Sequence, residues 1–247
     1  MTAGMPQGSA ERTSAVRTLY IFPHAGGSAG SYVPFSRAFS IDLKRIAVQY
    51  PGRSDRHDVP DVTSIPALAD EIYKMLSPAI KPDSRVAFFG HSMGGLVAFE
   101  VARRFEAVGA PIAALFVSAS PAPGHAGYEY LQETDDDLLK MITELTGTSS
   151  EFIGGQFGAQ VLRTLRNYGA ITDYSCPPGT TVSCPIYAYA AAGDTAVSYE
   201  SVLAWAGFTT SEFAIRVLAG DHFYITADVR DLAEDIQNRI SQFKTGR

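Results

Sequence analysis

An α/β architecture, a mostly parallel sheet covered by helices on both faces, is the fold class the sequence predicts. Three observations predict it. Short apolar runs recur along the chain and alternate with segments whose apolar residues fall three and four apart. One such run passes through Gly90-His91-Ser92-Met93-Gly94 straight into a helical pattern. Between Ser118 and Pro185 the rhythm stops, over a stretch too long to be a structureless loop in a compact domain.

Taken in order, 1–16 is rich in small and polar residues and reads as a frayed tail. Thr18 to Pro23 and Arg45 to Tyr50 are short apolar runs closed by Pro and Gly, the pattern of buried strands. Between them Tyr32, Phe35 and Phe39 share one helical face, and Ile65 to Leu76 forms a second helix through Ile65, Leu68, Ile72, Met75 and Leu76. Arg85 to Phe89 is a strand, and the helix after Gly94 stops at Gly109. Ala113 to Ser118, Pro185 to Ala191 and Phe213 to Leu218 complete the strands, and Val229 to Phe243 is a closing helix. In the gap, Thr134 caps a helical segment with acidic residues in its first turn, and a second helix is expected over 158–174. The expectation is one domain over 17–247 with a helical lid inserted at about 122–182 above the carboxyl edge of the sheet.

Composition bounds the function. The chain has 247 residues, 46% hydrophobic and 19% charged, which is ordinary for a globular protein. A net charge of −6 argues against a grip on nucleic acid, which depends on clustered Lys and Arg. Cys176 and Cys184 are too few for a disulfide framework and read as free thiols. No run is long enough for a membrane span and the start lacks a secretory signal, so a cytoplasmic protein is expected. No metal-ligand spacing, P-loop or dinucleotide fingerprint is present, so neither metal nor cofactor is expected.

The Gly-x-Ser-x-Gly pattern is weak by itself, but a strand running in and a helix running out define the sharp turn that exposes a nucleophilic serine, which makes this the α/β-hydrolase fold. Ser92 then needs a base and an orienting acid, in the chain order Ser, acid, His. Of the two histidines after Ser92, His222 follows the last strand, whereas His125 lies at the lid entrance. Asp194 leaves a strand end in Ala-Ala-Gly-Asp. Asp135, Asp136 and Asp137 read as a solvated helix start, Asp173 falls in a lid helix, and Asp221 is adjacent to His222. Met93 and Ala25 are the candidate oxyanion-hole N–H donors, the second from the Pro23-His24-Ala25-Gly26-Gly27 loop. His24 and His91 are expected to brace loops. Met141, Leu145, Leu162 and Leu165 are candidate acyl-channel positions.

The ordered set YIFPHAGGSAGSYVPFS, VQYPGRSDR, VAFFGHSMGGLVAFEVARR, AAGD and GDHFY resembles the type II thioesterases of polyketide and nonribosomal-peptide pathways over nearly the whole chain after residue 17. The resemblance implies a stand-alone hydrolase, expected to be a monomer. Its partners would be an acyl or peptidyl carrier protein with a phosphopantetheine arm and the synthase that bears it. It implies Ser92, Asp194 and His222 as triad and Ala25 and Met93 as oxyanion hole. Ser54-Asp55 before Arg56 departs from the family pattern, and Arg53 and Arg56 are candidates for a phosphate contact. Rival expectations are an esterase, lipase or acyltransferase on oxygen esters, and a non-catalytic carrier-binding partner.

Overall fold

The computed structural model describes residues 16–51, 64–125, 127, 134–136, 138–139, 162, 174–226 and 229–243. Within them the strands are β1 (Thr18–Phe22), β2 (Lys44–Ala47), β3 (Val86–His91), β4 (Ala114–Ser118), β5 (Ile186–Ala191) and β6 (Phe213–Leu218). They pair in the order β2-β1-β3-β4-β5-β6, every pair parallel. The helices are α1 (Val33–Arg37), α2 (Ile65–Leu76), α3 (Met93–Ala107), α4 (Tyr199–Leu203) and α5 (Arg230–Gln242).

Strand side chains alternate between two buried cores, as a sheet covered on both faces requires. Tyr20, Phe22, Phe88, Leu115, Val117, Ile186 and Ala188 join the core under α2 and α3. Leu19, Ile21, Ala87, Phe89, Phe116, Tyr187 and Tyr189 join the opposite core with Phe35 of α1 and Leu232, Ile236 and Ile240 of α5. Because β2 lies on one side of β1 and β3 on the other, the connections leaving β1 and β3 pass to opposite faces. Such a reversal opens a crevice at the carboxyl ends of the two strands, where open α/β sheets bind ligands.

Local chemistry explains most boundaries. The Ser64 hydroxyl accepts the Ala67 N–H at the start of α2 at 3.3 Å, with Pro66 in its first turn. Gly109, at φ +74°, ends the chain's helical path after α3. Two expectations are corrected. The segment with Tyr32, Phe35 and Phe39 is a 3₁₀ turn (Ala29–Tyr32) followed by the short α1, because Pro34 has no N–H with which to continue a helix from Gly30. All three aromatic rings are buried nonetheless. The second strand ends at Ala47 instead of Tyr50, with one further ladder bond from Val48 N–H to the Ile21 carbonyl at 2.8 Å.

The expected insertion lies largely outside the described residues, as do Arg53, Arg56, Asp137, Asp173, Met141, Leu145 and Leu165. At its start, residues 135–136 and 138–139 are helical, and Leu138 N–H donates to the Thr134 carbonyl at 2.9 Å. Leu162 is helical and half-buried. Where the chain returns, the Tyr174 hydroxyl donates to Glu100 Oε1 at 2.6 Å, and Arg103 and Arg104 donate to the same carboxylate. Burial opposes charge on Glu100, but these three donors hold its carboxyl below the usual carboxylate range. No described helix is long and apolar enough to cross a membrane.

Candidate active site

Strand β3 runs directly into Ser92, whose backbone is at φ 53°, ψ −127°, a left-handed conformation that a residue with a side chain adopts only under constraint. The constraint is visible. A Cβ at Gly90 would lie 2.2 Å from the Gly94 carbonyl oxygen, and one at Gly94 would lie 2.0 Å from that of Phe22. Only glycine at both places lets β3 turn into α3 while the turn rests on the end of β1. The Ser92 N–H donates to the Ser118 carbonyl at 2.8 Å, fixing the turn to the neighbouring strand β4.

Two further strand ends complete the arrangement. His222 follows β6, and its Nε2 lies 3.0 Å from Ser92 Oγ. Asp194 follows β5, and its Oδ2 lies 2.8 Å from His222 Nδ1. The other oxygen, Oδ1, accepts the N–H groups of Ala196 at 2.9 Å and Val197 at 3.0 Å. An ionised carboxylate only accepts, so Nδ1 carries the imidazole proton and Nε2 is left as acceptor for the Ser92 hydroxyl. The His222 and Asp194 side chains are 2% and 1% exposed, which keeps water from competing for these bonds.

The loop after β1 forms the opposite wall. The buried Tyr50 hydroxyl donates to the Pro23 carbonyl at 2.9 Å, and His24 meets the Tyr32 hydroxyl through its N–H at 3.1 Å and through Nδ1 at 2.8 Å. These bonds hold the chain around Ala25 beside the Gly94 contact. Met93 is the first residue of α3, so its N–H has no acceptor inside the helix. Neither the Met93 nor the Ala25 N–H is spent on another described residue. Both backbone donors are thereby unclaimed, that of Met93 next to Ser92 at a helix N-terminus where the dipole favours negative charge.

The remaining candidates fall elsewhere. His125 is exposed, with its backbone N–H on the Ala122 carbonyl. Asp135 and Asp136 are exposed, and Asp221 turns to its own loop, Oδ1 accepting the Phe223 N–H at 2.8 Å. Cys176 and Cys184 are both free thiols, and burial pushes the Cys184 thiol up to about 12. Among the described residues no group of three or more His, Cys, Asp or Glu is placed to hold a metal ion. Sequence reasoning missed Tyr50, Ser118 and Tyr224. Their partners lie 27 and 106 positions away along the chain, so nothing in the local sequence marks them.

Comparison with known proteins supplies the family. The Thioesterase domain family model matches residues 17–240. Thioesterase TesA of Mycobacterium leprae is 50% identical over 238 residues, covering 96% of this chain and 91% of that protein. Among solved structures, the type II thioesterase BorB from the borrelidin biosynthetic cluster is 33% identical with a TM-score of 0.80, covering 91% of this chain and 93% of BorB. RedJ, a thioesterase from the prodiginine biosynthetic pathway in Streptomyces coelicolor, is 29% identical with a TM-score of 0.81, covering 96% of this chain and 91% of its own. With a family match over most of its length and a half-identical relative across nearly all of it, the chain belongs to the thioesterase family.

Proposed function

We propose that this thioesterase hydrolyses acyl groups from the phosphopantetheine arm of carrier proteins in polyketide, lipid or nonribosomal-peptide synthesis. Ser92 is its nucleophile, His222 its base and Asp194 the orienting acid. The observation that carries the proposal is the unbroken Asp194–His222–Ser92 chain, at 2.8 and 3.0 Å, ending on a serine held in left-handed backbone. The carrier-protein substrate is supported by the relatives, since BorB, a type II thioesterase, belongs to the borrelidin biosynthetic cluster and RedJ to the prodiginine biosynthetic pathway.

Ser92 Oγ attacks the thioester carbonyl as His222 Nε2 takes its proton. The carbonyl oxygen becomes negative and is held by the Met93 and Ala25 N–H groups. Collapse breaks the carbon–sulfur bond, and the departing sulfur takes the proton from His222, leaving an acyl ester on Ser92. Water then attacks that ester as His222 removes its proton, and the second collapse returns the proton to Ser92 Oγ and frees the acid. Asp194 stays ionised throughout and stabilises the imidazolium in both halves. The protein works in the cytoplasm as a monomer.

The test is release of acyl groups from a panel of acyl-loaded carrier proteins, followed by mass spectrometry. Ser92→Ala should reduce turnover by roughly 10⁶-fold and abolish labelling by a serine-directed phosphonate. Full activity of Ser92→Ala would remove the mechanism. Rapid hydrolysis of aryl oxygen esters with every carrier left loaded would make the protein an esterase, and an unlabelled, inert wild type would make it a carrier-binding partner.

A further inference from the structure

Behind the proposed triad lies a second hydrogen-bonded chain that the mechanism above does not use. His91 Nδ1 is 2.9 Å from Ser118 Oγ, and Ser118 Oγ is 2.6 Å from the Tyr224 hydroxyl. All three residues are at most 4% exposed. Each member also touches the triad through the chain. His91 immediately precedes Ser92, the Ser118 carbonyl accepts the Ser92 N–H, and Tyr224 lies two residues beyond His222. We propose that His91, Ser118 and Tyr224 are positioning residues that hold the loop of His222 at the distance from Ser92 that proton transfer requires. The inference rests on the triad assignment above.

The direction of the bonds follows from the partners present. The Tyr224 hydroxyl has Ser118 Oγ as its one described partner, so its proton goes there. With the Tyr224 proton on Ser118, Ser118 donates in turn to His91 Nδ1, which places the proton of His91 on Nε2, a buried nitrogen with no hydrogen-bond partner among the described residues. The imidazole of His91 remains neutral, because burial first, and then the neighbouring His222 and His24, press its pKa well below the ordinary value, against weaker opposing effects of the Ser118 and His222 backbone. It can therefore act as the acceptor at the end of this chain without placing a positive charge beside the base.

Packing reinforces the bonds. The His91 ring lies 5.5 Å from that of His222, 5.8 Å from Phe223 and 6.1 Å from Tyr224, so one side chain braces three consecutive residues of the base's loop. Its other flank meets His24 at 6.0 Å, on the wall that carries Ala25. The end of β4 is itself constrained, since Ala119, next to Ser118, has φ +44°. Apolar residues would fill this space without polar groups to satisfy. Three buried polar side chains joined end to end fix both the distance and the angle between two loops, which packing alone leaves softer. An error of ~1 Å in such a geometry typically costs ~10²-fold in rate.

The decisive variant is Tyr224→Phe, which removes one oxygen and no ring. Ser118→Ala breaks the chain at its centre, His91→Leu removes its far end, and His91→Asn restores an amide near the place of Nδ1. Each is assayed with an acyl N-acetylcysteamine thioester, with active sites counted by endpoint phosphonate labelling so that kcat refers to folded enzyme. Tyr224→Phe should lower kcat about tenfold with KM unchanged and slow the phosphonate reaction in parallel, and His91→Asn should recover most of what His91→Leu loses. A kcat per labelled site within about twofold of wild type for Tyr224→Phe and Ser118→Ala overturns the inference. Equal losses in His91→Asn and His91→Leu overturn it as well. Ser92→Ala, which the phosphonate cannot count and whose rate is therefore taken per total protein with thermal melting as the folding check, separates the two proposals: if it is inert while Tyr224→Phe is normal, only the positioning role fails, and if it is active, the triad assignment fails first.

Discussion

Replacing Asp194 by asparagine tests the proposed chemistry with almost no change of shape. Oδ1 of Asp194 accepts two backbone N–H groups, from Ala196 and Val197, and Oδ2 accepts one from His222. An introduced amide has one oxygen and one NH₂. Keeping the oxygen on the two backbone donors retains two bonds, whereas the flipped amide retains one and presses NH₂ against two N–H groups. The amide nitrogen therefore faces His222 Nδ1 at about the present 2.8 Å. Facing a donor, Nδ1 becomes an acceptor and the imidazole proton moves to Nε2, where it points at Ser92 Oγ.

A base in that tautomer cannot take the Ser92 proton. The loss in kcat should approach the ~10⁴-fold known for wrong-tautomer variants of this constellation, equivalent to about 5.4 kcal/mol of barrier. Steady-state hydrolysis of an acyl-carrier thioester measures it, with thermal melting as the check that the fold survives. Asp221→Asn serves as the control, because its Oδ1 can still accept the Phe223 N–H, and it should stay within about twofold of wild type. Asp194→Asn activity within tenfold of wild type would refute the orienting role of this carboxylate.

Two predictions concern stability. Tyr174→Phe removes a hydrogen bond to the charged Glu100 carboxylate and should cost about 2 kcal/mol in urea unfolding followed through Trp205, the sole tryptophan, with a loss under about 0.5 kcal/mol counting against it. The depressed pKa of His91 sets a pH dependence. Below the ordinary value of 6.5 the unfolded chain binds a proton that native His91 refuses, so stability falls on acidification from there down to the native pKa. The slope is at most about 1.4 kcal/mol per pH unit. His91→Asn should flatten the urea midpoint between about pH 6.5 and 5, and parallel curves for variant and wild type would show that His91 is not the group responsible.

The strands were legible because a parallel sheet buried on both faces needs near-continuous apolar runs, and TLYIF, VAFF and ALFVS are such runs. The helix Ile65–Leu76 was legible from its apolar spacing alone, and in the structure the Ser64 cap and Pro66 mark the same start. Less was visible where several weak signals share a short stretch. The α4 turn after Asp194 went unnoticed, although the Ser198 side chain accepts the Ser201 N–H at its start and Trp205 follows as a buried anchor. In the site, motif order brought out Ser92, Asp194 and His222 as candidates, which the structure joins by hydrogen bonds, because strand ends are readable. Ser118 and Tyr224 were not, because their contact joins residues 106 positions apart and leaves no periodic trace in either segment.

The three groups of the proposed triad hang from the ends of β3, β5 and β6, with His222 130 positions from Ser92 and 28 from Asp194. A ribosome must therefore deliver the chain through β6 and His222 before the serine acquires a base. Chains cut short ahead of β6, or paired one residue out of step, hold a hydroxyl no more reactive than any other serine. In a cell stocked with thioester intermediates that others depend on, such failed copies are inert, and hydrolytic competence doubles as a certificate that the sheet is finished.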